Sequence, residues 1–431
     1  MVFPHRVLFT LWLLGFPLLA QADWPQWRGP GQDGVAPAGA YPTDWSPNAG
    51  IRWQAEVPGS GGSTPIVADG KIYITSGVEG ENKLFCYAAQ DGQPLWNVKI
   101  GEERASQHGK DHRKGSGANP SVVAEADAVY AYYRSGDLAC VSTAGELRWH
   151  VNLQDLYGED TLWWNLGTSP IPTEKAIVVA VIQTGPSYLV GIDKQTGKPL
   201  WKEDRITEAP KEAAQAYTTP LLLEVGGRQV IAVMGADNLT LHEAENGKEL
   251  ARLGGFNPQG EQFFRSISSP VAAGKIIVCP YARGATLTAV DAAQLLAGKG
   301  DEAIVWFRDD LGSDVPTPAA TDEQVYVVRD KGALVCVDAQ TGKDLWETKL
   351  PRSRFNVTSS PLVAGDHVYL TREDGTTFVV DRTREGKLVA ENAAGTGDPY
   401  TVASLVPVAS DLLERTRNRL LRIHGQDEAT D

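Results

Sequence analysis

Seven times the chain sets a Ser, Thr or Asn before a proline and an apolar run: Thr64-Pro65, Asn119-Pro120, Ser169-Pro170, Thr219-Pro220, Ser269-Pro270, Thr317-Pro318 and Ser360-Pro361. An eighth, degenerate copy starts near Ser404-Leu405, where the proline has drifted to Pro407. A unit recurring along a chain of 431 residues cannot bury a core alone and must stack on its copies, so the length prior of two or three domains gives way to one repeat architecture. Within a copy, "PIVADG", "KIYITSG" and "KLFCYAAQDG" precede a fourth segment ending in Trp. Short β-branched and aromatic runs closed by Gly, Asp or Asn are strands and tight turns, and no helical periodicity of useful length interrupts them. Four strands in about 40 to 50 residues make a propeller blade.

The chain ends set the blade count. Residues 404–425 supply "LVPVAS", "LLERTRN" and "RLLRIHG", three strands without a terminal Trp, while "IRWQAEVPG" at 51–59 is a lone strand carrying Trp53. Joining them predicts an all-β, eight-bladed propeller of four-stranded antiparallel blades, with seven blades as the alternative if the last copy packs otherwise. The expected divisions are a signal peptide at 1–22, an N-terminal extension at 23–50, one propeller domain at 51–425 and a tail at 426–431.

At the N-terminus, His5 and Arg6 precede the apolar run 7–20, and "AQA" at 20–22 is a small-x-small cleavage pattern before Asp23. The run is short for a membrane span, which needs about 20 apolar residues, and no later stretch approaches it. An exported, periplasmic or secreted protein without a transmembrane segment in its mature chain is expected, and no cysteine follows the cut to take a lipid. A net charge of −14 repels phosphate backbones, which argues against nucleic acid as a partner.

Cys86, Cys140 and Cys336 occupy one place in three repeats, and Cys279 sits in a different strand of its own. Equivalent positions in different repeats cannot easily reach the roughly 4.4 to 6.8 Å between Cα atoms that a disulfide requires, so buried thiols are expected. There is no CxxC, GxSxG, HExxH or P-loop pattern. His108 and His112, in "QHGKDHRKG", have a spacing that aligns ligands on a helix, but the surrounding glycines make a loop; no metal site is expected.

The frame "QTGKDLW" at 340–346 and "QTGKPLW" at 195–201 resembles the tryptophan-docking repeat of the PQQ-dependent quinoprotein alcohol dehydrogenase superfamily. That superfamily holds both enzymes and cofactor-free propellers such as BamB-like outer-membrane assembly scaffolds. "DWPQWRGPGQDG" at 23–34 is similar to the opening of exported PQQ-like propellers. The resemblance implies a structural docking role for Trp53, Trp96, Trp149, Trp201, Trp306 and Trp346, with Leu250 and Val389 in their place in two blades. Six such rings spaced around a circle cannot share one small ligand, and a buried indole pairs a large apolar face with one N–H donor. For an enzyme, the resemblance implies PQQ on a Trp opposite an adjacent-cysteine disulfide, with Ca²⁺ held by Glu and Asn and an Asp base. The chain has no adjacent cysteine pair, so no cofactor and no catalytic residue are expected; PQQ with Ca²⁺ is the alternative.

Function is therefore expected in the loops that do not repeat: 101–118, 152–167, 203–218, 254–267 and 351–358. Turns after the second strands should reach the same face, carrying Arg134, Arg283, Arg329, Arg372 and Arg417 as a basic ring suited to carboxylate or phosphate. The competing reading pairs each with nearby acids such as Asp137, Asp330 or Glu373. Trp163 and Trp164 offer stacking faces beside Arg113, Lys114 or Arg265, with Tyr217 and Arg354 completing the candidates. These features predict a non-catalytic binding or assembly scaffold for a protein partner or a small anionic or glycan ligand. The alternatives are a PQQ-dependent oxidoreductase and a carbohydrate-binding propeller.

Overall fold

The computed structural model of the protein describes residues 23–104, 116–393 and 398–425. Eight four-stranded antiparallel sheets form the blades: 66–102, 123–152, 171–204, 221–253, 271–308, 319–349, 362–393, and 406–423 joined by the strand Ile51–Glu56. In blade 8 the early strand runs against Arg419–Ile423 with Ala55 opposite Leu420, so the two ends of the chain close the ring. The eight-bladed expectation holds.

Middle strands are buried on both faces, as in "AVYAY" at Ala128–Tyr132, because each sheet has a neighbour on either side. Outer strands alternate between half-buried and exposed, as in "PLWKED" at Pro199–Asp204, because their far edge meets water. All four cysteines are free and buried, and burial pushes Cys86 and Cys336 up to about 12.

Each docking Trp lies on the glycine turn of the next blade. Trp306 Nε1 donates to Ala339 O at 2.8 Å, Trp149 to Lys194 O at 2.9 Å, and Trp53 and Trp96 to Ala89 O and Thr143 O at 3.2 Å each. Gly342 has φ +66°, and a Cβ there would stand 2.7 Å from the Trp306 ring, so this turn requires glycine for both backbone and space. Trp201 makes no indole hydrogen bond among the described residues, yet its ring covers Gly247 in the same way. The two exceptions have structural reasons. Blade 4 offers Leu250 because the facing turn of blade 5 is replaced by the helix Ala292–Leu296, and both belong to one apolar cluster. Blade 7 offers Val389 because the third and fourth strands of blade 8 come from opposite ends of the chain and share no turn.

The inner strands are fastened by hydroxyls. The backbone N–H of Ser121 donates to Ser169 Oγ, Ser169 to Thr219 Oγ1, Thr219 to Ser269 Oγ and Ser269 to Thr317 Oγ1, all at 2.9 to 3.0 Å. Thr317 donates to Ser360 Oγ, Ser360 to Ser404 Oγ and Ser404 to Thr64 Oγ1, at 2.9 to 3.1 Å. Ser121 Oγ donates to Thr64 O at 3.0 Å and completes a girdle around the axis. Asn119-Pro120 is thus two residues out of register: Ser121-Val122 is the true copy of Ser169-Pro170.

Below the girdle runs the N-terminal segment, a strap along the axial edges of the inner strands. Trp24 exchanges two backbone hydrogen bonds with Val67, Ala124 N–H donates to Pro25 O, Gln32 brackets Pro220 O and Leu222 N–H, and Gly34 O accepts from Val363. Arg28 is buried at the centre and donates to Pro361 O at 2.6 Å and Pro318 O at 3.0 Å; burial lowers its pKa to about 10. The strap covers strand edges that would otherwise line the channel with unpaired backbone groups.

Two outcomes are expected. Gly342→Ala lowers the urea unfolding free energy by about 1–3 kcal/mol more than Gly80→Ala, which has equally positive φ but open space around it. In the second strand of blade 8, neither carboxyl oxygen of buried Glu414 makes a hydrogen bond among the described residues, and burial pushes its pKa up to about 8 from an ordinary 4.5. The folded protein keeps this proton where the unfolded chain has lost it, so stability falls as pH rises from 4.5 to 8. Glu414→Gln should match the wild type in urea titrations at pH 4.5 and exceed it by at least about 1 kcal/mol at pH 8.

Candidate functional site

Above the girdle the channel widens into a cavity of about 1000 Å³. Its base is the ring of inner-strand hydroxyls together with Trp27 of the strap, which is half-buried. A girdle oxygen that accepts a backbone N–H still carries its own hydrogen to donate, so the ring presents donors to the axis.

The loops 152–167, 203–218 and 254–267 interlock to build one wall. Tyr217 N–H donates to Ser266 O at 2.7 Å, Trp164 N–H to Tyr217 Oη at 3.0 Å, and Trp163 N–H to Gln215 Oε1 at 3.0 Å. Trp164 Nε1 donates to Glu212 Oε1 at 2.5 Å, which fixes the ring at the cavity edge. Arg265 lies 5.9 Å from that ring, 3.4 Å from Asp314 and 3.7 Å from Glu212. Only 11% of its side chain is exposed, and Nε and Nη1 make no hydrogen bond among the described residues. A buried cationic donor left in this state is costly and calls for an acceptor.

Arg283, Arg329 and Lys331 continue the cationic side, with Asp314, Asp330 and Glu373 among them. Arg329 donates to Asp310 O at 2.8 Å, and Arg283 stands 3.9 Å from Asp314. Burial, then the nearby Asp314 charge, push Asp330 up to about 6. On a chain of net charge −14 the lining gathers four cationic side chains against three carboxylates.

The expected complete ring of arginines is not built. Arg134 is buried between blades and holds the 152–167 loop through Asp160 at 2.8 Å, Leu162 O at 2.8 Å and Asn165 at 3.0 Å. Arg372 pairs with Asp374 at 2.9 Å and lies 5.1 Å from the Phe378 ring. Both are held out of the cavity lining by neighbours only a few residues away in space or sequence. Arg417 pairs with Asp398 at 3.1 Å, stacks on Tyr400, and borders a smaller adjacent hollow of about 230 Å³. Arg354 is exposed beside Phe355, and Trp163 is half-buried; neither lines the cavity. Tyr217, Trp164, Arg265, Arg283 and Arg329 do converge there, whereas Arg113, Lys114, His108 and His112 lie outside the described residues.

The four cysteines are buried in separate strands, and among the described residues no group of three or more His, Cys, Asp or Glu side chains is placed to hold a metal ion. Sequence reasoning missed Trp27, Asp314 and Lys331, which also line the cavity.

The sequence model of the family described as "Outer membrane protein assembly factor BamB" matches residues 44–163, 134–297 and 284–411, and the chain belongs to that family. Among solved structures, BamB from Moraxella catarrhalis is similar with a TM-score of 0.58 at 14% identity, over 86% of this chain and 98% of that one. Quinohemoprotein alcohol dehydrogenase from Comamonas testosteroni reaches a TM-score of 0.67 at 12% identity, over 95% and 82%. A europium-containing methanol dehydrogenase gives 0.65 at 11% identity, over 92% and 90%. At these identities the likeness establishes the fold alone. No curated protein matches the chain.

Proposed function

We propose that this protein is an exported, non-catalytic binding propeller whose mouth cavity holds a small anionic ligand. The observation that carries the reading is Arg265: a buried guanidinium at the cavity wall whose Nε and Nη1 make no hydrogen bond among the described residues. An anionic oxygen reaching this wall would supply an acceptor to one of these donors, beside the hydrogen bond that Nη2 already makes to Asp314. Arg283, Arg329 and Lys331 add to the attraction, and the girdle hydroxyls supply further donors. Export rests on the apolar run and cleavage pattern at residues 1–22, and no described helix is long and apolar enough to cross a membrane.

A protein partner is the second reading. Ile206 and Phe263, on two of the rim loops, are 76% and 50% exposed, and the family's description names an assembly factor.

Isothermal titration with citrate at low ionic strength tests the first reading. Arg265→Gln should weaken binding at least about tenfold, while Arg354→Gln, outside the lining, should leave it unchanged. Equal binding by wild type and Arg265→Gln overturns the reading, as does dye-linked alcohol oxidation after PQQ and Ca²⁺ are added. Because protonation of Asp330 near pH 6 removes a negative charge from the lining, citrate should bind more tightly at pH 5.5 than at pH 7.5. Asp330→Asn should flatten that difference when it is corrected for citrate's own titration.

A further inference from the structure

We infer that the ligand class is an acidic sugar, a short uronate-bearing oligosaccharide, and that Trp27 of the N-terminal strap is its stacking platform. This rests on the reading of the cavity as an anion site and adds to it what the rest of the lining selects.

Size comes first. A cavity of about 1000 Å³ is far larger than an inorganic anion requires and lies at the upper end of the roughly 300–1000 Å³ typical of small-molecule sites. Polarity is the second constraint. The lining mixes cations with Asp314, Asp330 and Glu373. A compact polycarboxylate engages the cations alone, whereas a sugar acid offers one carboxylate per ring to the cations and hydroxyls that donate to the acids. Its ring and glycosidic oxygens accept from the girdle hydroxyls. Shape is the third. Trp27 is the strap's contribution to the lining, and an indole face carries partial negative charge that suits the C–H face of a pyranose.

The strap is built to hold that platform. Arg28, next in sequence, is anchored on Pro318 O and Pro361 O of two different blades. Gly34 has φ +74°, and a Cβ there would stand 1.9 Å from the Arg28 guanidinium, so the strap closes over the arginine only with glycine at that place. Gly29 has φ +82° and lies against the Trp24 ring, which sets the turn that carries Trp27 upward. Arg28 is a positioning residue, and Trp27 is the one that touches ligand.

Isothermal titration with trigalacturonate, neutral galactotriose and citrate separates this inference from the one it rests on. Wild type should bind trigalacturonate and citrate and should bind galactotriose at least about tenfold more weakly than trigalacturonate. Trp27→Ala should weaken trigalacturonate about tenfold and citrate less than about twofold, and Trp27→Phe should restore most of the loss. If the alanine variant does not fold, Trp27→Phe still reports: the ligand-induced change in tryptophan fluorescence seen in wild type should fall by at least about half, the remainder coming from Trp164 at the cavity edge. Citrate binding without trigalacturonate binding, equal weakening of both by Trp27→Ala, or an undiminished fluorescence change in Trp27→Phe overturns the sugar inference and leaves the anion reading standing. Binding of neither acid overturns both.

Discussion

A propeller is held by what happens nearest its axis, where eight strand ends crowd together and each brings a backbone N–H that water reaches poorly. In this protein a hydroxyl on the neighbouring blade takes seven of those donors, from Ser121 to Ser169 and onward to Ser404, which donates to Thr64 Oγ1. Ser121 Oγ closes the circle on Thr64 O. The proline that usually follows the hydroxyl residue fixes the entry into the inner strand and brings no N–H of its own. One small element therefore meets the backbone demand, sets blade spacing, and leaves a ring of hydroxyl donors facing the ligand cavity.

The outer fastening follows a different logic. Tryptophan covers the glycine turn of the next blade because a broad ring fills the wedge that opens between sheets as they fan outward. Where there is no glycine turn to cover, the indole is absent: Leu250 meets a helix, and Val389 faces the blade made from two chain ends. The substitutions in the repeat are thus responses to topology, and neither marks a site of chemistry.

The same economy governs the repeated arginines. Arg134 and Arg372 find carboxylates on the adjoining loop or their own turn and stay out of the lining, while Arg283 and Arg329, at matching places in their blades, line the cavity. Equivalent places in a repeat carry equal side chains but not equal surroundings. The loops, which differ from blade to blade, decide which guanidinium is used up and which is left facing the cavity.

Periodicity was enough to read the blades, their number and the closure by Ile51–Glu56, because strands and turns are local features repeated many times, while the docking role of the tryptophans was implied by the resemblance of their repeat frame. The loops that build the cavity wall were also legible, as insertions into a minimal blade. What sequence could not give was register and convergence. Asn119-Pro120 matched the motif two residues away from the true position, since only the hydrogen bond to Ser169 identifies Ser121 as the copy. Trp27 and Arg28 read as an extension before the domain, yet they sit on its axis, against strands hundreds of residues later. The chain determined its architecture by repetition; the site was decided in space, where an unrepeated strap and unequal loops meet around one channel.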